Sequence, residues 1–97
     1  MSSALVVNPS DNVANALDDI AKGDVVSYAI DGAKMSVRAV DDVKFGFKIS
    51  VKPINKGGDI IKYGCVIGVS SRDIQPGECV HIHNVEGNRG RGDKKEA

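Results

Sequence analysis

Aromatic side chains are scarce in this chain of 97 residues, and neither sign of charge is in excess. There are two tyrosines, two phenylalanines and no tryptophan, and 13 Lys and Arg residues balance 13 Asp and Glu residues. A nucleic-acid-binding protein generally needs a positive surface for phosphates, and proteins that bind single strands add aromatic rings on which bases stack. The composition therefore argues against a nucleic-acid partner.

Long hydrophobic runs and cysteines are also few. The apolar run near the N-terminus, "ALVV", is too short for a signal peptide or a membrane span. We expect the only two cysteines, Cys65 and Cys79, to be reduced, because no secretory signal precedes them. These features predict a cytoplasmic protein without a membrane association.

The sequence does contain many glycines and many short, alternating runs of Val and Ile. This pattern predicts a mostly β fold, with "DVVSYAI" and "AKMSVRAV" as paired strands joined by a turn at Asp31 and Gly32. The segment 11–23, "DNVANALDDIAKG", has apolar residues at three- and four-residue spacing and ends in a glycine. It therefore predicts one short N-terminal helix. We detect no internal repeat in the sequence.

The length of the chain fits a single small domain, which we place at residues 1–85. Residues 86–97, "EGNRGRGDKKEA", contain no apolar side chain before the final alanine. Such a segment cannot bury enough surface to offset its ordering entropy, so it is predicted to be a disordered polar C-terminal tail.

The only two histidines, His81 and His83, stand one residue apart. In a strand they would share a face, with α-carbons roughly 7 Å apart, and could chelate one metal ion if other ligands completed the site. Alternatively, both histidines are polar residues on the solvent-exposed face of an edge strand. Lys48 and Lys62 present a similar choice between a ligand for a substrate anion and a solvated strand lysine. Spacing alone does not decide between these readings.

Several motifs follow one another in a family-specific order. They are "IKYG" at 61–64 with "IG" after it, "DI-PGE" at 73–78, and His81, His83 and Asn84 as "H-HN". Over about residues 11–84 the sequence resembles the N-terminal SAF domain of the altronate and galactarate dehydratase family, which also contains sulfolactate sulfo-lyase. The resemblance implies a compact SAF-type β-clip domain that acts with a large catalytic domain or with a separate large catalytic subunit. Because the chain ends soon after Asn84, we expect the small subunit.

Enzymes of this family are lyases that eliminate water from sugar acids, or sulfite from sulfolactate, and they are associated with a divalent metal, often iron. Removing a proton next to a carboxylate needs a base, and the developing enediolate needs a cation beside it. The resemblance therefore implies catalytic roles for His81, His83 and Lys48, and hydroxy-acid binding by Lys62 and Asn84. It implies a metal held mainly by the large subunit, with the two histidines as shared ligands, and no activity of this chain alone.

Two other functions fit the same residues. SAF domains also occur in non-catalytic proteins that bind carbohydrate or assist assembly, and an isolated metal-binding protein would retain stoichiometric metal. One departure from the family also bears on catalysis. Relatives usually carry Gly-His-Lys where this chain has Gly46, Phe47 and Lys48, so that an apolar ring replaces an imidazole.

Overall fold

The structure, a computed structural model, describes residues 2–81 and 83–87 and confirms a mostly β fold. No helix in this part of the chain is long and apolar enough to cross a membrane. The last strand extends two residues past the predicted domain boundary at 85, and the rest of the predicted tail, 88–97, lies outside the described residues. The strands are β1 (Ser2–Leu5), β2 (Val13–Ala16), β3 (Val25–Ile30), β4 (Ala33–Arg38), β5 (Lys48–Ser50), β6 (Asp59–Lys62), β7 (Cys65–Ser70), β8 (Cys79–Val80) and β9 (Val85–Gly87).

The strands form two sheets, and the buried apolar residues form two clusters. The larger sheet has the order β4-β3-β1-β2-β5-β8, in which β1 and β3 are parallel and the other pairs antiparallel. The smaller sheet, β6-β7-β9, is antiparallel throughout. Val13 of β2, Ile60 of β6 and Val80 of β8 are almost fully buried in one apolar cluster. This cluster holds the small sheet against the β5-β8 end of the large one.

The helix predicted over residues 11–23 is wrong. The first part of this segment forms β2, which pairs with β1 on one side and β5 on the other. Leu17, which a helix would have turned toward the core, is 46% exposed. A helix of this length is marginal in water, whereas β2 gains hydrogen bonds from two neighbours and buries Val13, Ala14 and Ala16. Gly23 has a positive φ of 94°, but it closes a β-turn and not a helix.

Four loops share one geometry, although we detect no internal repeat in the sequence. Each loop has a buried Ile or Val followed three residues later by a glycine with φ between 83° and 94°. In every loop this glycine is the third residue of a β-turn, the position at which positive φ favours glycine. We call them clip loops 1 to 4; they are defined by Ile20 and Gly23, Val43 and Gly46, Ile54 and Gly57, and Ile74 and Gly77.

The clip loops form two reciprocal pairs. Ile20 exchanges two backbone hydrogen bonds with Val43, and Ile54 does so with Ile74. In the first pair, the carboxylate before each buried residue caps the partner's turn. Asp19 Oδ1 accepts a hydrogen bond from the Phe45 N–H, and Asp42 Oδ1 accepts one from Lys22, at 2.9 and 2.8 Å. Each pair is therefore closed by bonds that run in both directions.

The second pair has one such cap and two prolines in place of the other. Asp73 Oδ1 accepts from the Lys56 N–H at 2.8 Å. The other cap is missing on both sides. Pro53 precedes Ile54, where the other loops have a carboxylate, and Pro76 follows Ile74 by two residues, where the other loops have the N–H donor; proline has no N–H. Because Pro76 offers no N–H, the absence of a carboxylate at position 53 leaves no turn N–H without a hydrogen-bond acceptor.

The two pairs divide most of the domain into two similar halves. Each half runs from a clip loop through a hairpin to a second clip loop, with hairpin β3–β4 in the first half and β6–β7 in the second. Both hairpins have two-residue turns in which both residues have positive φ, as in type I′ turns. The turn predicted at Asp31 and Gly32 is confirmed, and Tyr63 and Gly64 form its counterpart.

Polar side chains from the β1–β2 region fasten the β6–β7 hairpin to the large sheet. Asp11 Oδ1 accepts a hydrogen bond from the Gly64 N–H at 2.8 Å, and Asn12 Oδ1 accepts one from the Ile61 N–H at 2.8 Å. The Asn12 amide also donates to the Asp59 carbonyl at 2.8 Å. These bonds fix the position of the small sheet, and with it one wall of the site described next.

Candidate functional site

An open hollow of about 520 Å³ lies between the β5-β8 end of the large sheet and the small sheet. Its lining is basic or apolar, and no carboxylate of the described residues belongs to it. The basic members are Lys48, Lys62 and His81, and the apolar members are Ile60, Ile67, Val80 and Val85. Three of the five predicted site residues therefore meet in one concave surface, although they lie far apart in sequence.

Lys48 is the first residue of β5 and lies opposite Val80 of β8. It is partly buried, and this burial lowers the pKa of its ammonium group. The positive charge of Lys62 lowers the pKa further, while Cys79 acts weakly in the opposite direction. Lys48 and Lys62 both line the hollow, so an anion bound there would be attracted by both charges.

Lys62, the last residue of β6, is held by an aromatic ring. Its Nζ lies 4.8 Å from the centroid of the Tyr63 ring, within the range of a cation–π interaction. The hydroxyl of Tyr63 in turn accepts a hydrogen bond of 2.8 Å from the Asn15 amide on β2. Asn15 is the register partner of Lys48, so this bond connects the two lysine-bearing walls of the hollow.

His81 follows directly after β8 and stacks on the ring of Phe47. The ring centroids are 4.3 Å apart and the planes differ by 22°. Phe47 is itself partly buried against the core of the large sheet. The ring at position 47, where the family resemblance predicts an imidazole, therefore covers one face of His81 with an apolar surface.

Asn84 is fully buried and holds the backbone on either side of His81. Its Oδ1 accepts a hydrogen bond from the His81 N–H at 2.9 Å, and its Nδ2 donates to the Cys79 carbonyl at 2.8 Å. The Asn84 N–H also donates to the His81 carbonyl at 3.0 Å, which closes a turn. The side chain thus stabilises the turn that presents His81. Its predicted contact with a substrate stays a prediction.

The premise that His81 and His83 share one face of a strand is wrong. Strand β8 ends at Val80, and the chain turns before Asn84, so His81 lines the hollow while His83 is exposed and does not line it. The turn arises because the buried Asn84 amide takes up the backbone groups that a longer strand would have paired. The catalytic role of His83 and a shared metal site stay predictions. The described residues bring together no group of three His, Cys, Asp or Glu side chains.

Two contacts of the site were not predicted from the sequence: the ring of Phe47 on His81 and the ring of Tyr63 under Lys62. Phe47 had been noticed only as a departure from the family pattern. For Tyr63 the available signal was its place before Gly64, because a residue-glycine pair between two alternating runs indicates a hairpin. Cys79 lies beside the site, and burial, followed by the negative charge of Asp41, raises the pKa of its thiol.

Comparison with known proteins gives a consistent result. Residues 2–88 match the family model described as the altronate/galactarate dehydratase SAF domain. The chain is 39% identical over 89 residues to an altronate dehydratase of Bacillus subtilis, covering 91% of this chain and 17% of that enzyme. It is 42% identical over 82 residues to an altronate dehydratase of Escherichia coli, covering 84% of this chain and 16% of that enzyme.

A shorter match concerns a protein of similar size. Over 49 residues the chain is 35% identical to the alpha subunit of (2R)-sulfolactate sulfo-lyase from Chromohalobacter salexigens, covering 50% of this chain and 52% of that subunit. The chain therefore spans about one-sixth of the two dehydratases and about half of the sulfo-lyase subunit. Its fold, its matched residues and these relatives show that the chain belongs to the altronate/galactarate dehydratase SAF domain family.

Proposed function

We propose that this chain is the small subunit of a cytoplasmic two-component lyase and that its hollow binds the acid group of the substrate. The observation that carries the proposal is the convergence of Lys48, Lys62 and His81 on a surface with no carboxylate among its described lining residues. Such a surface favours carboxylate or sulfonate groups over neutral sugars. The names of the relatives support a sugar acid of the altronate type, or sulfolactate, as the substrate.

In this proposal the three basic groups have different tasks. Lys48 and Lys62 hold the acid group from two walls, and His81 offers a ring nitrogen as a proton acceptor or donor. The apolar lining, including Ile60 and Val80, lowers the local dielectric constant and strengthens these charged interactions. We place the divalent metal mainly on the large subunit, because the described residues form no cluster of three ligand side chains.

A non-catalytic assembly module is the second candidate, favoured by an apolar surface on the β6–β7 hairpin. Tyr63, Val66 and Ile67 are 47%, 40% and 39% exposed, and Ile67 reaches the hollow. A partner that covers this surface would bury the hairpin and the hollow together. Under this reading, substitutions on the hairpin reduce complex formation, whereas substitutions of Lys48, Lys62 or His81 leave turnover unchanged.

The decisive experiment is to co-express the chain with a large subunit of the same family and to measure release of water or sulfite from a panel of hydroxy and sulfo acids. Replacing Lys48 or Lys62 by Met removes a charged hydrogen bond worth about 1.5–3 kcal/mol, so KM rises by about tenfold to a hundredfold. Replacing His81 by Gln lowers kcat by about a hundredfold or more. His83→Gln tests the separate prediction for His83.

Lys34→Met is the matched control, because Lys34 is exposed on β4, at the opposite edge of the large sheet from β8. It changes the net charge by the same amount without touching the hollow. If folded complexes with Lys48→Met and with Lys62→Met each keep the KM of the Lys34→Met complex, the anion-binding proposal is wrong. A folded complex that releases neither product from any acid contradicts the lyase assignment.

A further inference from the structure

Tyr63 has an unfavourable backbone conformation for its side chain. Its φ is 56°, in the left-handed region, at the first residue of a two-residue turn. Asn, Asp and Gly are favoured at this position, whereas a bulky side chain there is strained. The side chain is 47% exposed, so its burial does not offset the strain. A residue retained under such strain is often retained for a function.

The equivalent hairpin of the first half supplies an internal comparison. Asp31 occupies the same turn position in β3–β4, with φ of 50°, and it is a short polar residue that this conformation favours. The two hairpins thus have the same turn geometry, but the residue with positive φ is an unstrained Asp in the first and a strained Tyr in the second. The turn itself therefore does not favour a tyrosine, and we look for its role in the contacts of the second hairpin.

Those contacts point to Lys62. The ring of Tyr63 lies 4.8 Å from Lys62 Nζ, and the hydroxyl of Tyr63 is anchored by the Asn15 amide at 2.8 Å. A lysine on a flexible stem loses rotamer entropy when it binds an anion, and a ring fixed at both ends reduces that loss beforehand. We propose that Tyr63 is the positioning residue for Lys62, holding its ammonium group toward the hollow at the expense of a strained turn. This inference rests on the proposed function, in which Lys62 binds the acid group.

The proposal makes stability and binding change in opposite directions. Tyr63→Asn places a favoured residue before Gly64, so the melting temperature of the chain stays equal or rises. The same change removes the ring, so affinity for altronate, used as the probe, falls by about two- to fivefold, as expected from the loss of an exposed cation–π contact. Tyr63→Phe keeps the ring, and its affinity for altronate stays closer to the wild type than that of Tyr63→Asn.

The measurement uses the full chain and needs no activity. Carbon-bound protons of the Lys62 ε-carbon are followed by NMR during an altronate titration. In the wild type and in Tyr63→Phe these signals lie upfield because of the ring current, and in Tyr63→Asn they return to the position of exposed lysines such as Lys34. Asp31→Asn is the matched control, because it places Asn at the equivalent turn position without affecting the hollow.

The outcomes separate this inference from the proposed function. If Lys62→Met does not weaken altronate binding, the anion-binding proposal fails. If Lys62→Met weakens binding but Tyr63→Asn does not, the positioning role of Tyr63 is wrong while the proposed function stands. A melting temperature of Tyr63→Asn below that of the wild type overturns the strain argument.

Discussion

At the scale of single residues, the site depends on how His81 is held. The stack on Phe47, at 4.3 Å between centroids, fixes the plane of the imidazole, and the Asn84 amide fixes the backbone that carries it. An imidazole fixed in this way loses less freedom when it contacts a substrate. Phe47 is therefore more than an apolar residue at the position where the family resemblance predicts a histidine.

Replacing Phe47 by Leu keeps apolar volume but removes the flat ring against His81. We expect kcat of the reconstituted complex to fall by about tenfold, because a small loss of alignment is costly, while KM changes little. Phe47→Tyr keeps the ring and restores most of kcat. NMR signals of the His81 ring, with the exposed His83 as reference, report whether the stack is lost. Equal kcat values for Phe47→Leu and the wild type contradict this role.

The lowered pKa of Lys48 predicts a pH dependence with a definite sign. Anion binding needs the ammonium form, so KM rises as the pH increases through the pKa of Lys48. Burial, and then the charge of Lys62, lower this pKa, so the rise begins below the value of about 10.4 expected for a free lysine. In Lys62→Met one cause is removed, and the rise moves to higher pH. A profile of KM against pH that is unchanged in Lys62→Met refutes the coupling.

The structure brings Lys48, Lys62 and His81 together in one hollow, and their roles stay predictions. Sequence reasoning singled them out from charged groups beside apolar runs and from the family motifs. It misplaced His83 because the end of β8 is decided by Asn84, whose amide satisfies backbone groups that are not adjacent in sequence. It missed the role of Tyr63 because the ring acts through a turn whose partner, Asn15, lies 48 residues away. Local patterns identify the chemical groups, but long-range contacts decide their arrangement.

At the scale of elements, the clip loops decide the fold. In the sequence, an Ile or Val three residues before a Gly occurs five times, and only burial separates the four clip loops from Ile61 and Gly64. The pattern escaped notice because the spacing between copies varies and the rest of each loop differs. The same pattern at Ile20 and Gly23 resembles the C-terminal end of a helix, and it contributed to the wrong helix prediction over residues 11–23. The hairpin turn at Asp31 and Gly32 was predictable because turn chemistry is local.

Gly77 and Gly23 allow a matched test of the clip loops. Their φ values are 93° and 94°, but a Cβ at Gly77 would collide with the Arg38 carbonyl oxygen, whereas at Gly23 nothing lies within 4 Å. Gly23→Ala therefore costs about 1–2 kcal/mol of unfolding free energy, from backbone strain alone. Gly77→Ala costs at least about 3 kcal/mol, because strain and overpacking combine. Urea unfolding measures both, and equal costs would contradict the close packing at Gly77.

At the scale of the whole molecule, stability in acid depends on Asp11, which joins the two sheets. It is 0% exposed, and burial by itself raises the pKa of its carboxyl group. Hydrogen bonds from the N–H groups of Gly64, Tyr63, Asn8 and Val7 lower the pKa by more, so it lies below its usual value. The stabilisation is present above the unfolded pKa of about 3.9 and is lost as the pH falls through the folded pKa.

Asp11→Asn should therefore lower the unfolding free energy by about 1.5–3 kcal/mol at pH 7, because an amide cannot accept all of these hydrogen bonds. The difference from the wild type shrinks as the pH is lowered below about 3.9. Urea unfolding at pH 7 and pH 3 measures it. Asp31→Asn, at an exposed turn, serves as the control. A difference that stays constant with pH would show that the Asp11 charge is not what joins the sheets.

The division into two similar halves also separates scaffold from chemistry. The residue before the hairpin turn is Lys62 in the second half and Ile30 in the first, and the fourth residue after the closing clip glycine is His81 in the second half and Ser50 in the first. The first half thus repeats the hairpin turn without these functional groups, although Ser50 is fully buried at the end of β5 whereas His81 follows the end of β8. It is an internal reference in the same molecule, in which a lysine grafted at position 30 measures how much of an anion site the hairpin geometry provides by itself.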